Sequence, residues 1–96
     1  MKKVAVLLAD GFEEIEALTV VDILRRASVY VDTVSITDEY KVRGSHGINV
    51  QTEDLFDEVN FVEFDMIVLP GGMPGTTNLD EHQGVKRVVE DYVTSG

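Results

Sequence analysis

A continuous apolar run near the amino terminus constrains the fold of this chain more than any other feature of its sequence. Residues 4–9 read Val-Ala-Val-Leu-Leu-Ala, and Asp10 and Gly11 end the run. Strands with one solvated face alternate apolar and polar residues, whereas strands buried on both faces of a parallel sheet are apolar throughout. The run therefore predicts a buried strand of a parallel α/β sheet.

The residues after this strand predict an amphipathic helix from about Glu13 to Ala27. Acidic residues at its start and arginines at its end both complement the helix dipole. Its core-facing stripe follows helical spacing and consists of Ala17, Val20, Val21, Leu24 and Ala27. Ile15, Leu18 and Ile23 lie outside the stripe, so we expect either a second layer of the same chain or a partner subunit to cover them.

Two further apolar segments predict strands of the same sheet. Residues 31–36 are β-branched and alternate enough to lie nearer an edge, and residues 65–69 form a third buried strand. A strand, a helix and a strand in succession form a βαβ unit, which requires a parallel sheet. Between the second and third predicted strands, residues 40–52 predict a small hairpin and residues 54–63 predict a short helical connector. A last helix is predicted from about Gln83 to Thr94, after a short helical segment that Leu79 opens.

Three core strands and two main helices are too few to cover both faces of such a sheet. The next element expected after the last helix is another central strand. We therefore expect residues 1–96 to be the N-terminal part of a single domain, with the rest of the protein in a separate or missing chain.

Charge and composition exclude several classes of function. The chain has 18 acidic against 8 basic side chains, a net charge of −10, which disfavours binding of nucleic acid or of a membrane surface through a basic patch. It contains no cysteine, which removes thiol nucleophiles and thiolate metal sites from this chain. No apolar run approaches the ~20 residues of a membrane span, and no signal-peptide cleavage pattern follows the first run, so a cytoplasmic protein is expected.

The sequence also predicts neither a cofactor nor a metal site. The glycine patterns of phosphate-binding loops are absent. The two histidines, His46 and His82, are far apart in unrelated segments. His82 is expected at the surface, while His46, at a glycine-flanked tip, could either reach a neighbouring subunit or have a structural role.

Two loops follow the carboxyl ends of the first and third strands, where open parallel sheets bind their ligands. In the second loop, Gly71 and Gly72 permit a turn whose N–H groups could stabilise an oxyanion, although a plain βα turn has the same composition. In the first, Glu16 lies beside the buried stripe, where a partly desolvated carboxylate can share a proton; the alternative is an acid that only complements the helix dipole. Glu13 and Glu14 are expected to be solvated.

Four sequence blocks in order resemble the first half of the ThiJ/PfpI family, the superfamily that includes the parkinsonism-associated deglycase and chaperone. The blocks are residues 6–16, 21–27, 44–47 and 68–79. The resemblance implies the N-terminal half of an α/β, flavodoxin-like three-layer sandwich with a mainly parallel sheet, of the class I glutamine-amidotransferase type. Ser28 departs from the pattern, since relatives commonly have glycine there.

The same resemblance implies a site built around a cysteine on a strained turn between a strand and a helix. It implies that Glu16 hydrogen-bonds to that cysteine and that the backbone of Gly71 and Gly72 forms an oxyanion hole. Three further residues match positions near the site mouth or the interface of a homodimer: His46, Ile15 and Leu18. We expect the chain to end before the cysteine, so that these 96 residues alone perform no thiol chemistry.

The function expected of the complete protein is therefore that of a cysteine-dependent enzyme of the glyoxalase or deglycase type, acting on small reactive carbonyls. The alternatives are a redox-sensing or chaperone-like member of the family, active in oxidative stress through an oxidisable cysteine, and a member with a protease or thiamine-biosynthesis role.

Overall fold

The apolar run at the amino terminus forms the strand around which the sheet is built. In the computed structural model, which describes residues 2–73 and 75–95, strand β1 is Lys3–Leu8, and every residue from Val4 to Leu8 is buried. Alternate residues of β1 contribute to two separate apolar clusters, one on each face of the sheet. The prediction of a strand buried on both faces is confirmed.

The sheet has four parallel strands. Strand β2 (Tyr30–Ser35) lies on one side of β1, and β6 (Met66–Val68) lies on the other. The short strand β5 (Asp54–Leu55), which the sequence did not predict, extends the sheet beyond β2 and gives the order β5-β2-β1-β6. The parallel pairing and the position of β2 near an edge agree with the predictions.

Helix α1 (Glu14–Arg26) connects β1 to β2 and covers one face of the sheet. Its inner stripe packs against the strands through buried Ala17 and Val21 and half-buried Leu24. Val20 is half-buried, and Ala27 is exposed at the C-cap. Three apolar side chains on its outer side remain exposed, namely Ile15, Leu18 and Ile23. Among the described residues no second layer covers them.

A small antiparallel hairpin projects between β2 and β5, as predicted. Its strands are β3 (Lys41–Arg43) and β4 (Asn49–Gln51). The connector after it consists of β5 and two 3-10 turns, Phe56–Glu58 and Phe61–Glu63.

The other face of the sheet is covered by the second half of the chain. Helix α2 (Gly75–Glu81) begins before Leu79, earlier than predicted, and α3 (Gln83–Ser95) follows it. Buried Leu79 and Val85 from these helices pack with Phe64 against the strands, which completes a three-layer α/β arrangement.

Strand β6 differs from its prediction as a buried strand. Met66 is 54% exposed, Ile67 and Val68 are half-buried, and Leu69 is exposed. The physical reason is that β6 is an edge strand of the sheet, and none of the described strands lies on its outer side.

Of the helices in the described part of the chain, none has the length and apolar character needed to cross a membrane.

Candidate functional site

The loops after β1 and β6 meet at the carboxyl edge of the sheet. Three hydrogen bonds join them: Glu13 N–H to the Gly71 carbonyl (2.9 Å), Gly75 N–H to the Gly11 carbonyl (3.0 Å), and the Asn78 side-chain amide to the Asp10 carbonyl (2.7 Å). The two loops predicted to carry the chemistry are therefore adjacent. This is expected because they follow neighbouring parallel strands, whose carboxyl ends lie at the same edge of the sheet.

Glycine is needed where these loops touch. Gly72 has φ of 100°, a left-handed conformation, and a Cβ atom there would lie 2.6 Å from the Glu13 nitrogen. A Cβ atom on Gly75 would lie 2.7 Å from the Gly11 carbonyl oxygen. The absence of side chains lets the two backbones approach closely.

Glu16 reaches this glycine loop from the first turn of α1. Its Oε1 accepts a hydrogen bond of 2.8 Å from the Gly71 N–H. The side chain thus points toward the glycine loop, but the expectation of a partly desolvated carboxylate beside the buried stripe is wrong for this chain, because Glu16 is exposed. Its position at the carboxyl edge of the sheet, beyond the strands, leaves it without a covering layer in the described residues.

The two glycine N–H groups are not equivalent. The Gly71 N–H is already donated to Glu16, whereas the Gly72 N–H has no hydrogen-bond partner among the described residues. In this arrangement Gly72 supplies the available donor, and Gly71 orients the carboxylate.

The environment of Glu14 also differs from the one predicted from the sequence. Glu14 was expected to be solvated, yet it is only 3% exposed. The loop of the β3–β4 hairpin covers it and donates four hydrogen bonds to its carboxylate: from His46 N–H (2.7 Å), His46 Nδ1 (3.0 Å), Ile48 N–H (3.2 Å) and Ser45 Oγ (3.3 Å). A Cβ atom on Gly44 would lie 2.3 Å from the Glu14 Cδ, so only glycine leaves room for this carboxylate.

The electrostatics of this contact favour ion pairing. Burial raises the pKa of Glu14, but the hydrogen bonds from the His46 ring and from the backbone of His46 and Ile48 outweigh it and lower the pKa to about 2. The pKa of His46 is raised by its hydrogen bond to Glu14 and by the charges of Glu13 and Glu14. Both shifts stabilise an imidazolium beside a carboxylate.

In the described part of the chain, one group of side chains has the donor atoms of a metal site, and it consists of Glu13, Glu14 and His46. The ligand atoms of Glu13, Glu14 and His46 lie within 4.8 Å of one another. However, N–H donors already occupy the Glu14 oxygens, and the adjacent start of α1 carries the positive end of the helix dipole. The chemistry of these residues fits hydrogen bonding better than it fits a cation.

Ile15 and Leu18 were predicted near the site mouth or a dimer interface. Together with Ile48 they line a shallow groove of about 410 Å³ on the outer side of α1. His46 lies at the start of the same helix, beside Glu13, with most of its side chain exposed. All three residues are thus close to the first turn of α1, and their role in an interface stays a prediction.

His82, expected at the surface, has a structural role instead. It is half-buried, its Nδ1 accepts the Val85 N–H at 3.0 Å at the start of α3, and its ring packs edge-on against Phe56. An imidazole nitrogen in this position satisfies one of the N–H groups that a helix start leaves unpaired.

The layer order and the loop pair define the class of this protein: a flavodoxin-like α/β domain with its candidate site at the carboxyl edge of a parallel sheet. The chain belongs to the DJ-1/PfpI family, whose sequence model matches residues 2–96.

Individual relatives agree with this membership. The chain is 34% identical to Protein DJ-1 homolog B of Arabidopsis thaliana over 99% of its own length and 22% of that protein. It is 39% identical to a deglycase of Thermococcus kodakarensis over 82% of its length and 48% of that protein. A solved cysteine-to-alanine mutant of a DJ-1 superfamily protein from Salmonella typhimurium superposes with a TM-score of 0.95 at 41% identity, covering all of this chain and 52% of the other. The chain thus spans about half the length of these relatives or less.

Proposed function

We propose that the complete protein is a cysteine-dependent enzyme that acts on small reactive carbonyl compounds, in the manner of a glyoxalase or deglycase. Glu16 would move the proton and the Gly72 N–H would stabilise the developing oxyanion. The observation that carries the proposal is the 2.8 Å hydrogen bond from Gly71 N–H to Glu16, which sets a carboxylate beside an available backbone donor at the ligand-binding edge of the sheet.

Family membership supports the choice of chemistry. One relative, from Thermococcus kodakarensis, is named a deglycase. This chain has no cysteine, so the nucleophile of the proposed reaction belongs to a part of the protein outside these 96 residues. The residues of this chain then supply proton transfer and charge stabilisation.

In the proposed first step, the Glu16 carboxylate takes the proton of the thiol. The sulfur then forms a bond to the carbonyl carbon, and the electron pair of the C=O bond moves to the oxygen. The Gly72 N–H donates to that oxygen as its charge develops, and Glu16 returns the proton to it. The product of this step is a neutral hemithioacetal, with no change in the number of protons or electrons.

The experiment is steady-state consumption of methylglyoxal by the full-length protein and by its Glu16→Gln variant. Glutamine keeps the shape and can still accept the Gly71 N–H, but it cannot take a proton, so kcat/KM should fall by ~10²–10⁴-fold. Glu58→Gln, which changes a carboxylate in the 56–58 turn, should keep wild-type activity. If the wild-type protein consumes no carbonyl and instead accumulates an oxidised cysteine, the redox-sensing alternative replaces this proposal.

We also propose that a second copy of the chain covers the groove formed by Ile15, Leu18 and Ile48. The support is the exposure of these apolar side chains on a helix whose other side is packed against the sheet. Contiguous exposed apolar surface of this kind marks interaction sites.

A further inference from the structure

We propose that Glu14 is a positioning residue: its buried carboxylate fixes the 45–48 loop against the first turn of α1 and thereby holds Glu16 in contact with Gly71. This inference rests on the proposed function, in which Glu16 moves the proton. The contact between the Glu14 carboxylate and its donors on Ser45, His46 and Ile48 is called the Glu14 clamp below.

Every oxygen of the Glu14 carboxylate is hydrogen-bonded in the clamp. Its carboxylate accepts four hydrogen bonds, two of them from backbone N–H groups, and is almost fully buried. No buried side-chain oxygen or nitrogen in the described residues lacks a partner. A buried carboxylate with this many donors is held in one orientation, because losing any donor leaves a polar group unpaired away from water.

The clamp lies at the start of the helix that also carries Glu16. Glu14 is the first residue of α1, and Glu16 follows two residues later, so their side chains leave the helix on nearly opposite sides. On one side the hairpin loop binds Glu14, and on the other Gly71 binds Glu16. The first turn is therefore held from both sides at once.

The contact between Glu16 and Gly71 is weak by itself. Glu16 is exposed, and its bond to Gly71 is its one hydrogen bond among the described residues. A single hydrogen bond of an exposed side chain contributes little net stability, so the geometry depends on where the helix start is held. The Phe12 carbonyl also accepts the Ser45 N–H at 2.8 Å, which ties the segment just before the N-cap of the helix to the same hairpin loop.

The experiment follows the Gly71 amide resonance by NMR in the full-length protein at one fixed pH. In the wild-type protein the charge-assisted hydrogen bond to the Glu16 carboxylate should shift this resonance downfield, and Glu16→Gln should remove most of that shift. Glu14→Gln should also remove most of the shift. The NH₂ group of the introduced glutamine would face the N–H donors of the loop, and two donors cannot form a hydrogen bond with each other. The matched control is Glu58→Gln. Glu58 also accepts hydrogen bonds from a backbone N–H, that of Leu55, and from the Tyr40 hydroxyl, but it lies in another turn. This variant should keep the Gly71 shift.

A second pair of variants keeps the test decisive if Glu14→Gln does not fold. Ser45→Ala and His46→Ala each remove a donor and leave the carboxylate in place, and both should reduce the Gly71 shift. An unchanged Gly71 shift in Glu14→Gln, or in the combined Ser45→Ala/His46→Ala variant, would overturn the inference and leave the clamp a purely structural contact.

Enzyme assays separate this inference from the proposed function. If the protein consumes methylglyoxal, Glu14→Gln should lower kcat by up to ~10²-fold with little change in KM, as a small misplacement of a catalytic group does. If Glu16→Gln leaves activity intact while the Gly71 shift is lost in both glutamate variants, the proposed function fails and the positioning role of Glu14 stands.

Discussion

At the scale of single residues, Ser28 at the end of α1 has a backbone conformation that is unfavourable for any residue other than glycine. Ser28 has φ of 63°, in the left-handed region that glycine adopts most readily. Its N–H donates to the Arg25 carbonyl and the Val29 N–H to the Leu24 carbonyl, which together form a Schellman cap. Leu24 and Val29 both pack against the same apolar cluster, so the cap is retained although serine is strained there.

Replacing Ser28 by glycine should therefore stabilise the protein. A left-handed conformation costs a non-glycine residue about 1–2 kcal/mol, and the greater freedom of glycine in the unfolded chain offsets part of that gain. We expect the free energy of unfolding to rise by ~0.5–1 kcal/mol, measured by urea denaturation of the full-length protein. The control is Thr19→Gly, at an exposed mid-helix position, which should be destabilising; an equal loss of stability in both variants would contradict the assignment.

At the scale of elements, the edge of the sheet at β2 and β5 carries an unfavourable group of charges. Asp32 is buried on β2, and burial is the main factor that raises its pKa, followed by the neighbouring Asp54. The charge of Glu53 raises it further, while a hydrogen bond from Tyr30 lowers it. The folded protein thus favours the protonated form of Asp32.

This raised pKa determines how stability changes with pH. An acid whose pKa is higher in the folded than in the unfolded state contributes stability below its unfolded pKa, about 3.9 for aspartate, and loses that contribution as the pH rises through the folded pKa. At neutral pH Asp32 is therefore destabilising, and Asp32→Asn should raise the melting temperature at pH 7. The difference from the wild-type protein should shrink as the pH is lowered toward 4.

The control for this prediction is Asp57→Asn, which removes one negative charge from an exposed position in the 56–58 turn. It should change the melting temperature much less than Asp32→Asn does. Equal increases in the two variants would mean that the net charge of the chain, rather than the buried position of Asp32, is responsible.

At the scale of the whole molecule, the outer side of α1 is the surface through which copies of the protein are proposed to associate. Ile15 is 77% exposed and lines the groove with Leu18 and Ile48, whereas Ile23 is exposed on the same helix but outside the groove. A lysine in place of Leu18 would set a charged group against the apolar residues of the interface, which is unfavourable even though Asp22 lines the same groove.

The full-length protein should therefore sediment as a dimer, and Leu18→Lys should shift it toward the monomer in analytical ultracentrifugation. Ile23→Lys, with the same change in charge and size, should leave the dimer intact. A wild-type protein that is monomeric at micromolar concentration, or a Leu18→Lys variant that dimerises as well as the wild type, would show that another surface is used.

The elements that could be predicted from the sequence are those whose pattern is local. The apolar run of β1, the stripe of α1 and the βαβ succession each depend on spacing within a short segment, because strand and helix periodicities are read over neighbouring residues. The meeting of Glu16 with Gly71 could also be predicted, since parallel strands bring the loops at their carboxyl ends to one edge of the sheet.

Which of two adjacent glutamates is buried depends on contacts between distant segments. Glu13 and Glu14 are identical residues at the start of the same helix, yet a hairpin loop about 30 residues further along the chain folds over Glu14. The same holds for β5, which is two residues long and becomes a strand because β2 offers it an edge, and for β6, whose apolar residues are exposed because it borders the sheet. In each case a contact between distant segments sets the environment, and local pattern carries no information about it.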